Sequence, residues 1–72
     1  PFVSEINIST NNNNNNIVVN LMDVMGNTIR KETLNTNTTS IKNLNYLTKG
    51  VYVLQISDIN NNKIESLKMI KN

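Results

Sequence analysis

Apolar and polar residues alternate with a period of two over much of this chain, which places successive side chains on opposite faces of a strand. From Phe2 to Ser9, Ile6 and Ile8 alternate with Asn7 and Ser9, predicting a half-buried strand. The run from Asn11 to Asn16 then reads as a loop, because Asn favours turns and tolerates left-handed backbone. Ile17 to Val24 follows, with Ile17, Val19 and Leu21 on one face and Val18, Asn20 and Met22 on the other. The first of these faces is expected to be core. Asp23-Val24-Met25-Gly26-Asn27 predicts a hairpin turn, in which Asp accepts backbone N–H bonds and Gly-Asn takes left-handed conformations. Thr28 to Leu34 is then the returning strand. Ile29 is expected to point inward, and Arg30, Lys31 and Glu32 mark an edge where charge discourages unwanted pairing.

The densest apolar stretch comes later, at Leu44 to Ile56. Val51, Tyr52, Val53, Leu54 and Ile56 would cover both faces of a pleated strand, which predicts a central position in its sheet. Gly50 supplies backbone freedom for a sharp entry into it, with φ > 0. Leu44 and Leu47, three apart, are expected to tuck beneath the sheet as a turn or short helical turn. Between these regions Asn35 to Ser40 holds only Asn, Thr and Ser, as a loop or an exposed threonine-rich strand. Asp58 to Lys63 predicts another tight turn, and Ile64 to Lys71 a last strand with apolar Ile64, Leu67, Met69 and Ile70. About five to seven short strands separated by Asn, Gly and Asp turns predict an all-β antiparallel sandwich rather than a closed barrel.

Composition narrows what such a fold can do. Seventy-two residues are expected to form a single domain over 1–72, near the lower size at which a core suffices without staples. With no Cys and no His, thiol chemistry, disulfides and the commonest general base and nitrogen metal ligand are all excluded. Glu5, Asp23, Glu32, Asp58 and Glu65 are scattered over separate elements, so no spacing predicts a catalytic pair or a metal site. A net charge of +2 from dispersed lysines predicts neither a nucleic-acid footprint nor a membrane-binding patch. The expectation is therefore no enzyme, no catalytic residue, no cofactor and no metal. A small carbohydrate-binding module is the alternative binding reading. It needs exposed rings, and only Phe2, Tyr46 and Tyr52 are available, with Tyr52 expected in the core.

Four motifs in order carry a resemblance. Leu47-Thr48-Lys49-Gly50-Val51-Tyr52 is similar to the "L-x-x-G-v-Y" segment of the C-terminal sorting domain of the type IX secretion system of the Bacteroidota. Pro1-Phe2 resembles the end of that family's Y-P-N-P opening, with the Tyr-Pro-Asn missing from this sequence. Val19 to Asn27 resembles its "v-x-l-x-D-x-x-G-r" hairpin, with Asn27 where Arg or Lys is frequent, and Lys68 to Asn72 resembles its lysine-plus-hydrophobic ending. The resemblance implies an Ig-like β-sandwich of about six to seven strands. It implies an address label behind a fused upstream cargo, read by the outer-membrane translocon and commonly removed by a sortase-like protease. The destination would be the cell surface or the medium, by way of the periplasm. Pro1, Asp23, Gly26, Leu47, Gly50, Tyr52, Lys68 and Lys71 are the candidate motif and recognition residues. Of these, Gly26, Gly50 and Asp23 are expected to serve backbone geometry, Tyr52 to be a packed ring with its hydroxyl bonded at the rim, and Lys68 and Lys71 to meet the translocon. The last strand, at or near a sheet edge, would offer backbone groups to a partner's strand.

Overall fold

A computed structural model describes residues 1–8, 17–34, 40–58 and 62–72. These form six strands, β1 (Ile6–Asn7), β2 (Ile17–Met22), β3 (Thr28–Leu34), β4 (Ser40–Ile41), β5 (Gly50–Asp58) and β6 (Lys63–Lys71). The strands make two antiparallel sheets, one of order β3-β2-β5-β6 and a smaller one pairing β1 with β4. The all-β sandwich predicted from the alternation is thus what the chain forms.

Register explains the layering. Across β2 and β5, Val19 stands opposite Ile56 and Leu21 opposite Leu54, so the centre of one face of the large sheet is apolar. Ile6, Ile8, Ile41 and Leu44 bring the opposing apolar surface, and Phe2 and Tyr52 close one end. Val19, Leu21, Ile41 and Leu44 are fully buried, and packing of this kind is what a chain of this length has to hold it together. The Leu44 N–H donates to the Ser4 carbonyl at 2.9 Å, which anchors the second layer, and the Leu47 N–H donates to the Leu44 carbonyl at 3.2 Å, closing the expected turn.

Several boundaries differ from the sequence reading. The first strand is only Ile6–Asn7, because Phe2 leaves that sheet and forms a parallel bridge to Lys71 in the other. The second stops at Met22, where Asp23 begins the turn. Its partner β3 carries one extra residue beside the turn: Leu21 faces Arg30 while Met22 faces Thr28, so Ile29 bulges and packs partly against the core. The central strand runs longer, from Gly50 to Asp58, and is an interior strand of its sheet. The asparagine run at 11–16, most of the Asn/Thr/Ser stretch and the middle of the 58–63 turn lie outside the described residues.

Candidate recognition surface

The turn after β2 is built by Asp23. Its Oδ1 accepts the N–H of Met25 and of Asn27, both at 2.9 Å, and its Oδ2 accepts the Asn27 side-chain amide at 3.1 Å. The Asp23 N–H donates to the Asn27 carbonyl at 3.0 Å, and Gly26, at φ 89°, donates its N–H to the Asp23 carbonyl. Bonding to the charged form, above all from the Asn27 N–H, holds this carboxyl below its ordinary range. Asp23 is therefore occupied with its own loop.

Gly50 enters β5 at φ 151°, in a region L side chains rarely adopt, and Tyr52 follows on the inner face. The Tyr52 hydroxyl donates to the Thr48 carbonyl at 2.7 Å, and its ring meets Phe2 edge-on with centroids 6.1 Å apart. The polar tip is thus satisfied at the rim while the ring stays buried. Leu47 packs partly against the same core. Pro1 is exposed at the end of the sandwich.

The two lysines singled out in β6 separate. Lys71 stands on the inner face across from Gly50 and is 7% exposed, its ammonium donating to the Asn72 carbonyl at 2.9 Å. Its backbone bridges Phe2, and its stem is buried while its head bonds the adjacent carbonyl. Lys71 thus lies on the inner face with its ammonium bonded to the neighbouring backbone. Lys68 is exposed on the opposite face, at the end of a row running Met22, Val53, Lys68 across three strands. Beside that row Val51 stands across from Ile70, each more than 40% exposed. One cation therefore borders an apolar patch, and the second layer covers the other face of the sheet. Periodicity alone hid this, since Lys68 lies between Leu67 and Met69 and Lys71 directly follows Ile70.

Elsewhere the chemistry is sparse. Arg30 and Glu32 form an ion pair of 2.7 Å on the edge strand, and Arg30 also donates to the Lys42 carbonyl. Glu32 and then the Tyr46 hydroxyl bond the guanidinium and raise its already high pKa. An open cleft of about 570 Å³ at the other end of the molecule is lined by Ile8, Ile17, Ile56 and Ile64 with Lys63 and Glu65. No group of three metal-ligating side chains occurs among the described residues.

Comparison with known proteins decides the family. A model of the secretion system C-terminal sorting domain matches residues 1–72. The chain belongs to the type IX C-terminal sorting domain family. This sorting domain is also similar to part of an endo-acting ulvan lyase of Formosa agariphila, at 42% identity over 55 residues, which is 76% of the chain and 11% of that protein. The likeness lies in the sorting region and says nothing of the activity of whatever precedes this domain. No solved structure matches. The sorting domain is a secretion signal carried behind a cargo, and it directs that cargo through the outer membrane to the cell surface or beyond.

Proposed function

We propose that the outer-membrane translocon reads this sorting domain as a folded surface, and that a sortase-like protease then removes it and attaches the cargo to anionic lipopolysaccharide. The observation that carries the reading is the family match across residues 1–72. The surface best suited to be read is the outer face of the large sheet, where Lys68 borders exposed Val51 and Ile70 with half-buried Met22 and Val53. Aliphatic and thioether area supplies contact energy there, and the lysine supplies orientation toward an acidic partner. Asp23, Gly26, Gly50 and Tyr52 act behind it by holding the sheet in shape.

The glycan-binding alternative lacks support from geometry. Phe2 and Tyr52 are buried, so Tyr46 is the one exposed ring, and its hydroxyl bonds Arg30. A single tethered ring is a poor platform for sugar stacking, and the cleft at the far end is lined by no aromatic residue. Fusing a reporter ahead of residues 1–72 in a type IX-competent host tests the proposal. Export of the reporter, lost in a host without the translocon, is the expected result. Retention in the periplasm of the competent host, or a sugar affinity abolished by Tyr46→Ala, would overturn it.

A further inference from the structure

β6 is the outermost strand of the large sheet, and no strand lies beside its free edge among the described residues. The start of the chain touches that edge at one point only. The Phe2 N–H donates to the Ile70 carbonyl at 2.8 Å, and the Asn72 N–H donates to the Phe2 carbonyl at 2.9 Å, forming a parallel bridge centred on Lys71. Backbone groups alternate in direction along a strand, so those of Ile64, Ser66 and Lys68 face outward as those of Ile70 do. They make a row of bare donors and acceptors next to Ile64 and Leu67, which are 70% and 44% exposed. Proteins ordinarily cover such an edge or blunt it with charge.

Because the bridge is parallel, residues preceding Pro1 in a longer protein approach along β6 in the same direction as β6 itself. The residue directly before Pro1 falls beside Met69. Its N–H and C=O face the same way as those of Phe2, within reach of the Lys68 carbonyl and the Ile70 N–H. Pro1 sits between the two, where the N–H it lacks would point away from β6, so it interrupts nothing. At about 3.3 Å per residue, roughly five upstream residues extend the pairing to Ile64. The geometry points to the tether joining cargo and sorting domain as the occupant of this edge, adding a parallel strand along β6 and sealing it while the cargo is attached. This rests on the reading above that the domain follows a cargo. The occupant is already anchored at the last rung by Phe2, which is buried in the core.

The test is hydrogen exchange, read by mass spectrometry on β6 peptides of the full-length protein in three forms. One is unaltered, one carries proline at the position directly before Pro1, and one carries proline at the outward-facing position four residues before Pro1. The inward-facing proline loses a donor and drives its ring into the edge, whereas the outward-facing one does neither. Expected is slow exchange at Ser66, Lys68 and Ile70 in the unaltered and outward-proline forms, and exchange at least about tenfold faster in the inward-proline form. Leu67 and Met69, which bond β5, should not change. Fast exchange at the three amides of the unaltered protein, leaving the edge open for a partner's strand, would overturn the proposal. So would slow exchange in all three forms, and a dependence on protein concentration would then assign the edge to a second copy. Export is followed in parallel: export with fast exchange defeats only the tether strand, and protection without export defeats only the sorting reading.

Discussion

Replacing Tyr52 by Phe removes one oxygen and keeps the ring against Phe2. That oxygen donates to the Thr48 carbonyl at 2.7 Å, while its 3.3 Å contact with the Thr48 hydroxyl is long and adds little. A net hydrogen bond of this type contributes about 0.5–1.5 kcal/mol. Thr48 is exposed, so water can reach the freed carbonyl, which keeps the expected loss near about 0.5–1 kcal/mol. For a domain of this size that is a drop in Tm of about 2–8 °C. Total stability at this length is of order 4–11 kcal/mol, so Tyr52→Phe should fold and a fused reporter should still be exported. Thermal melts by circular dichroism, paired with urea midpoints, measure the shift. An unchanged Tm would refute the rim bond, and a loss above about 3 kcal/mol would show that the hydroxyl does more than close the β5 entry. Tyr52→Leu should lose more, since the edge-on contact with Phe2 contributes about 0.5–1.5 kcal/mol beyond area burial.

Lys68→Glu should abolish most reporter export while changing stability by less than about 0.5 kcal/mol, because the side chain is exposed; unimpaired export clears Lys68 of a recognition role. Gly50→Ala meets no atom within 4 Å, so its expected cost of about 1–3 kcal/mol is backbone strain alone, and a urea midpoint within error of wild type would refute it. The Asp23 carboxyl titrates below its ordinary value of 3.8 in the folded chain, so its contribution is complete above that value and is lost as pH falls through the lower folded one. Urea midpoints between about pH 7 and pH 2 should therefore fall more steeply for wild type than for Asp23→Asn, and parallel profiles would contradict the turn geometry. Deleting Leu67 to Asn72 removes the C-terminal half of β6 and the Phe2 bridge, so the cargo should stay in the periplasm; normal secretion of the truncation would contradict that.

Much of the fold was legible from one chain because β structure writes its two faces into alternate positions. Ile17, Val19 and Leu21 announce a core face, and they are buried. Asp23 and Gly26 announce a turn through their own chemistry, carboxylate acceptor and left-handed backbone, and both take those roles. Gly50 before an apolar run likewise marks a strained entry that only local conformation requires. Sorting function was legible in a different way, through four spaced motifs rather than through any reactive group.

β6 was the exception, because Ile64 and Ile70 lie on one face and Leu67 and Met69 on the other, so a period of two assigns neither to the core. Only packing decides between them. The second layer covers one side, which buries Lys71 beside Phe2 and leaves Lys68 facing solvent within an apolar patch. The same holds for Phe2, whose departure from the first strand to pair in parallel with β6 depends on partners some seventy residues away. Local sequence determined strands, turns and the inward face of β2; long-range register decided which lysine is exposed and which strand lies outermost in the sheet, since burial belongs to a pair of surfaces and not to a residue.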